Sequence, residues 1–367
     1  MSSDFHTLAN PQIANLTPYQ PGKPVEELER ELGISSAIKL ASNENALGPS
    51  PLALAAAQQA LAHSHIYPDG GCYVLKQALA EFLNVASNQL TIGNGSENIL
   101  EIITKAYLQT GRAALISQYA FLTIPLLIKA SGAETITVAA QNYGHDISKM
   151  LEAITANTRL IFVVNPNNPT GTYTNTADLL LLLNNVRPDI LVVVDEAYNE
   201  FIDAEDYPDT VKLLAQYPNL IISRTFSKAY GLAGLRIGYA VSSPQIADIL
   251  NRARLPFNVN SIAAVAAVAA IKDQAHVQRT VAMNKEGMQQ LINGLKQLQL
   301  EFIPSLGNFI TVDVQQNGGD VYQALLRQGV IIRPLLAYGM PNHVRLTIGT
   351  AAQNLRLLMA LEQVLRK

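Results

Sequence analysis

Thr225 and Ser227 lie three residues and one residue before Lys228, and Arg236 follows it by eight. A lysine amine that has lost its proton attacks carbonyls and forms Schiff bases. Hydroxyls and a guanidinium are good ligands for a phosphate dianion. Gly231, Gly234 and Gly238 come next, and they let the backbone turn and pack closely. A surface lysine with ordinary hydroxyl caps is the plainer use of such a tetrapeptide. The glycines and the arginine at this offset favour the chemical use. A Schiff-base lysine beside a phosphate cup is what pyridoxal phosphate (PLP) needs.

Other stretches supply the remaining chemistry. Val192-Val193-Val194-Asp195-Glu196-Ala197-Tyr198 puts an aspartate at the end of an apolar run, the edge where open α/β sheets bind ligands. PLP needs a carboxylate against its pyridine nitrogen, and Asp195 is the candidate, although capping a helix is a commoner use. Glu196 points the other way on a strand. Tyr198 is within reach of the cofactor's ring oxygen, with core packing as its plainer use. Gly95-Ser96-Glu97 enters a helix, where free N–H groups and the positive dipole end receive a phosphate. The glycines there do not complete a dinucleotide fingerprint. Tyr119 and Phe121 follow an apolar run, and either ring can stack on the pyridine. Asn165-Pro166-Asn167-Asn168-Pro169-Thr170-Gly171 is a turn by composition.

These residues need a scaffold, and the chain provides one. Short apolar runs at 113–116, 135–138, 160–164, 190–194 and 220–222 alternate with helical patterns. That alternation predicts an α/β domain with a mostly parallel sheet. A further strand is expected at 236–241, and a smaller α/β unit begins near Ile271. Its elements are a helix at 281–298, strands at 309–314, 330–332 and 344–348, and a closing helix at 351–365. Residues 1–30 carry four prolines, Pro11, Pro18, Pro21 and Pro24, and read as an irregular arm. The 367 residues have a net charge of −3, which gives no reason to expect nucleic acid. A single cysteine, Cys72, points to a reducing, cytoplasmic setting. The N-terminal stretch lacks the basic head and apolar core of a signal peptide, and no run is long enough to span a membrane. The six histidines have no ligand spacing, so no metal site is expected.

The lysine stretch resembles the PLP-lysine segment of the aspartate-aminotransferase-like superfamily. Gly95-Ser96, Asn168-Pro169, Asp195-x-x-Tyr198 and Lys228…Arg236 fall in that superfamily's order. Along nearly its whole length the chain resembles the histidinol-phosphate aminotransferases. The supporting stretches are Leu16-Thr17-Pro18-Tyr19, Ser42-Asn43-Glu44-Asn45, Gly48-Pro49-Ser50-Pro51, Tyr67-Pro68-Asp69-Gly70 and Val344 to Thr350.

The resemblance implies an α/β, PLP-dependent transferase fold of the aspartate aminotransferase type. Residues 46–270 would form the large domain with a mostly parallel central sheet. Residues 1–45, an arm and part of the small domain, would join the small C-terminal domain, 271–367. It implies a cytoplasmic homodimer with PLP on Lys228. Asp195 would face the ring nitrogen, Asn168 and Tyr198 the ring oxygen, and Phe121 the ring face. Gly95, Ser96, Glu97, Thr225, Ser227, Arg236 and Tyr67 of the partner subunit would surround the phosphate. Tyr19, Asn168, Arg333 and Arg345 would meet the substrate, and Asn168-Pro169 is a candidate cis bond.

The implied reaction converts L-histidinol phosphate and 2-oxoglutarate to imidazole acetol phosphate and L-glutamate in histidine biosynthesis. It involves neither nucleic acid nor membrane. Aromatic amino acid aminotransferases share the same motifs, and threonine-phosphate decarboxylases are a second alternative. A regulator with a degenerate aminotransferase domain would need an added basic DNA-binding domain. The chain departs from the family pattern at Ala46, where proline is usual, and at Ile124, where tyrosine is common.

Overall fold

The structure is a computed structural model that describes residues 4–18 and 21–365. A seven-stranded sheet forms its centre. The strands are β1 (Leu90–Gly93), β2 (Ala113–Ser117), β3 (Glu134–Val138), β4 (Thr158–Val164), β5 (Leu191–Asp195), β6 (Leu220–Thr225) and β7 (Gly238–Ser242). Their spatial order is β1-β7-β6-β5-β4-β2-β3, and β7 alone runs antiparallel to its neighbours. Both faces are covered. Leu160, Phe162 and Val164 enter the core on one side, and Ile161 and Val163 enter it on the other. A strand buried on both faces reads as an unbroken apolar run, which is why β4, β5 and β6 were visible in the sequence.

The strand register aligns the ends that matter. Val164 lies opposite Asp195, and Asp195 opposite Ser223. Thr225 lies opposite Gly238, which lies opposite Gly93. The loops that leave β1, β4, β5 and β6 therefore emerge side by side along one edge.

A second sheet contains β8 (Phe302–Ile303), β9 (Phe309–Asp313), β10 (Arg333–Pro334) and β11 (His343–Thr347). Its order is β10-β11-β9-β8, antiparallel throughout. Helices Gln274–Gln297, Gly318–Arg327 and Ala351–Leu365 pack on it through Leu291, Leu295, Leu325, Leu357 and Leu361. Ile38–Lys39 pairs in parallel with Val330–Ile331, so the N-terminal stretch is fastened to C-terminal elements. The architecture is the expected α/β one, with a mostly parallel central sheet.

Some elements differ from expectation. The first thirty residues are not wholly irregular. Short helices Phe5–Leu8 and Pro11–Ala14 are capped by Asp4 and Asn10, and helix Val25–Leu32 buries Leu28. Strand β1 was not foreseen, because four residues among polar neighbours carry too little pattern. The helix expected at 281–298 begins at Gln274 and passes unbroken through Gly287. A Cβ on Gly287 would stand 2.6 Å from Ile348 Cγ2. The glycine there admits β11's following loop and is not a helix breaker.

Candidate active site

A cleft of about 280 Å³ lies at the aligned strand ends. Ser96, Asn168, Asp195, Tyr198, Thr225, Ser227, Lys228 and Arg236 face it from the large-sheet side, with Phe121 on the wall. Arg333 and Arg345 face it from the small sheet, and residues 41–44 close a third side.

Lys228 follows β6 after a short turn. Its Nζ donates to the Ser42 carbonyl at 3.1 Å and stands 5.8 Å from the Tyr198 ring centre. Burial, then the Arg345 guanidinium, pushes its pKa down to about 8, against the opposing charges of Glu44 and Glu97. Much of the amine is thus the free base in mildly alkaline solution, the form that attacks carbonyls.

Asp195 ends β5 and is 3% exposed, and its Oδ1 has no hydrogen-bond partner. Burial, then the charge of Glu196, raises its pKa to about 7, while Lys228 and the Ala197 N–H work the other way. Such a carboxylate is suited to a cationic N–H donor, which would keep it ionised. Glu196 turns away from the cleft. It takes a 2.8 Å ion pair from Arg224 and a 2.8 Å hydrogen bond from Thr210.

The end of the cleft whose groups suit an anion is built around Gly95. It precedes helix Ser96–Tyr107 with φ +88°, a conformation costly for other residues. A Cβ there would lie 2.5 Å from Arg236 Nη2, so glycine lets this helix start sit directly beside that guanidinium. The first N–H groups of a helix lack intrahelical acceptors and favour an anion. Thr225 Oγ1 donates to Ser227 Oγ at 2.9 Å, and Arg236 Nη1 reaches the same oxygen at 3.4 Å. The Glu97 carboxylate lies 3.4 Å from Arg236 Nη2. A carboxylate competes with an anion for arginine, so only the backbone N–H of Glu97 suits a phosphate.

Arg345 is buried on β11. Its Nη1 donates to Asn168 Oδ1 at 2.5 Å, its Nη2 to the Ala41 carbonyl at 2.7 Å, and it lies 5.4 Å from the Phe309 ring centre. Arg333 is its direct cross-strand partner on β10. Asn168–Pro169 is cis, and so is Asn165–Pro166. Tyr119 packs with Ile303, Leu335, Tyr338 and Met340, whereas Phe121 lines the cleft. Ile124 is fully buried in the core and does not line it.

Tyr67 is the expected residue that stands apart. It is 81% exposed, stacks on Phe257 at 5.0 Å and does not line the cleft. Tyr19 lies outside the described residues. Among the described residues no three His, Cys, Asp or Glu side chains are grouped to hold a metal, and no helix is long and apolar enough to cross a membrane.

Sequence reasoning gave no role to Ser42, Asn43 or Glu44, which all line the cleft. The available signals were the resemblance carried by Ser42 to Asn45, which named no role for them, and the polar character of that run.

The chain matches the family of class I and II aminotransferases over residues 35–361. It is 53% identical to histidinol-phosphate aminotransferase 2 of Pseudomonas fluorescens, covering 100% of both chains. It is 49% identical to histidinol-phosphate aminotransferase 1 of Nitrosococcus oceani, over 99% of this chain and 98% of that one. The crystal structure of histidinol-phosphate aminotransferase from Sinorhizobium meliloti, in complex with pyridoxal-5'-phosphate, superposes with a TM-score of 0.90 at 29% identity. It covers 98% of this chain and 97% of its own. By sequence along its whole length, and by fold, this chain belongs to the histidinol-phosphate aminotransferases among the class I and II aminotransferases.

Proposed function

We propose that the chain is a PLP-dependent histidinol-phosphate transaminase with Lys228 as the residue that carries the cofactor. It moves an amino group from L-histidinol phosphate to 2-oxoglutarate, giving imidazole acetol phosphate and L-glutamate, in histidine biosynthesis. The observation that carries this reading is a single cleft with three complementary parts. It joins a lysine with a depressed pKa, a buried aspartate with an unpartnered oxygen, and the Gly95–Arg236 cradle. These parts fit the aldehyde, the ring nitrogen and the phosphate of PLP respectively. When bound, PLP supplies an aldehyde for covalent attachment and a ring that takes up the electron pair of a broken Cα–H bond.

The protein's own residues do the rest. Lys228 would hold the cofactor, and its released amine would carry the proton taken from the substrate carbon to the cofactor carbon that the lysine had occupied. Asp195 would stay ionised against the ring N–H and so hold that proton in place. Tyr198 and Asn168 would offer polar groups to the ring oxygen, and Phe121 would supply an aromatic face for the ring. Gly95, Ser96, the backbone N–H of Glu97, Thr225, Ser227 and Arg236 would hold the phosphate. Arg345, assisted by Arg333, binds the anionic end of the substrate. Carboxylate and phosphate both accept paired hydrogen bonds from a guanidinium, so one arginine serves both half-reactions.

The reading includes a cytoplasmic homodimer and a large domain at 46–270, flanked by 1–45 and 271–367 in the small one. Tyr67, Ile66, Tyr73, Val74 and Leu255 are each more than half exposed. Apolar side chains on a free surface are suited to a second copy, and Tyr67 of the partner subunit would complete the phosphate cup.

An amino-donor panel with 2-oxoglutarate tests the substrate. Histidinol phosphate is expected to exceed phenylalanine and tyrosine in kcat/KM, and unphosphorylated histidinol to be poor. Faster turnover of phenylalanine or tyrosine would replace this reading with an aromatic aminotransferase. In the same assay Arg345→Ala is expected to lower kcat/KM for both histidinol phosphate and 2-oxoglutarate. The loss should be roughly 10²-fold, since removing one partner of a buried charged pair costs about 2–5 kcal/mol. Unchanged values for both substrates would remove Arg345 from the anion site.

A further inference from the structure

We propose that Asn43 is a positioning residue whose amide, oriented by Thr347, directs the Tyr198 phenol proton into the cleft. This rests on the reading above, in which Tyr198 faces the ring oxygen of the cofactor. Asn43 is 1% exposed and adopts φ +55°, a left-handed conformation that asparagine tolerates better than most residues. Its backbone N–H donates to Thr347 Oγ1 at 2.9 Å, and that hydroxyl donates to Asn43 Oδ1 at 3.1 Å. The backbone N–H can only donate, so the hydroxyl accepts there and keeps its own proton for the amide oxygen. The amide thus places its oxygen toward Thr347 and its nitrogen toward Tyr198.

Asn43 Nδ2 accordingly donates to the Tyr198 phenol oxygen at 2.9 Å. A phenol has one proton and two lone pairs. Having accepted from Asn43, it keeps its proton to donate, and hydrogen bonds in series strengthen one another. The opposite amide orientation would draw the phenol proton away from the cleft. The supporting chain is pinned at two carbonyls. Arg345 Nη2 holds that of Ala41, and Asn308 Nδ2 that of Asn43. Thr347 sits two residues after Arg345 on β11, on the same strand face. The anion-binding arginine and the phenol are thereby set from one strand.

The test is a spectrophotometric pH titration of the lysine-linked cofactor in holoenzyme, with the PLP dissociation constant as a second readout. A phenol that donates to the ring oxygen stabilises its negative charge and so weakens the hold on the neighbouring proton. Weakening that donor raises the titration midpoint. Asn43→Gly keeps the left-handed turn available while deleting the amide. It is expected to raise the midpoint by about 0.5–1 unit, the size appropriate to one weakened hydrogen bond.

Tyr198→Phe is expected to raise it further, and Asn43→Gly added to Tyr198→Phe should shift nothing more. Thr347→Val is expected to move the midpoint in the same direction as Asn43→Gly, and Thr347→Ser, which keeps the hydroxyl, to bring it back. Asp195, Lys228, Arg345 and Tyr338, the other titratable groups around the phenol, are intact in every variant. A wild-type midpoint in Asn43→Gly beside a shifted one in Tyr198→Phe overturns the role of Asn43 and leaves that of Tyr198. A wild-type midpoint in Tyr198→Phe overturns the reading on which both depend.

Discussion

Lys228→Ala is expected to abolish covalent attachment of the cofactor and to lower turnover of histidinol phosphate by about 10⁴-fold or more. A lost general base commonly accounts for roughly 10²–10⁴, and in the proposed reading the same side chain is also the anchor. The variant should fold. The lysine is half-buried, its amine has one hydrogen bond, to the Ser42 carbonyl, and the strands around it are held by apolar contacts. The checks are the absorption of protein incubated with PLP and then dialysed, and kcat from a coupled glutamate assay. Turnover within a factor of about ten of wild type, well short of the loss of a general base, would remove Lys228 from the chemistry. In the wild-type protein, capture of added PLP should quicken as pH rises through about 8, where burial has brought the amine's pKa. The neutral amine is the nucleophile, so an acid-favoured capture rate would contradict the assignment.

Asp195→Asn is expected to bind PLP and to lose about 10²–10³-fold in kcat, the range seen when an electrostatic partner of the reacting system is removed. The sign follows from the side chains. The carboxylate only accepts, and it stabilises a protonated ring nitrogen. The amide can turn its NH₂ toward that nitrogen and so favour the unprotonated ring. Burial and Glu196 raise the Asp195 pKa to about 7, and a positive N–H beside it lowers that value again. In wild-type holoenzyme the carboxylate should therefore stay ionised well below pH 7, and activity should not fall with an apparent pKa near 7 from this group. Near wild-type kcat in a folded, PLP-loaded Asp195→Asn protein would exclude the role.

Much of this arrangement was legible in the sequence for one physical reason. Asp195, Asn168 and Lys228 each follow an apolar run that must be buried on both faces. Parallel strands buried in that way end along a common edge, so residues far apart in the chain meet there. Gly95 was legible because glycine before a helix is a recognisable turn, although the demand set by Arg236 was not. Asn43 was illegible. Its partners Tyr198 and Thr347 lie 155 and 304 residues away, and no local pattern encodes which asparagine meets which phenol. Strand β1 was too short to register, and the helix through Gly287 looked weaker than it is. The reason for that glycine, a close approach by Ile348, is tertiary. Tyr67 was recognised only through the resemblance, since in a single chain its ring lies on the surface.

The most direct test of the account is borohydride reduction of the PLP-loaded protein, followed by proteolysis and peptide mapping. Reduction fixes the cofactor to whichever amine holds it. The account predicts a pyridoxyl group on Lys228 in near-stoichiometric amount, and its discharge before reduction when histidinol phosphate is added. A label on any other lysine, or a label on Lys228 that histidinol phosphate leaves in place, would contradict it.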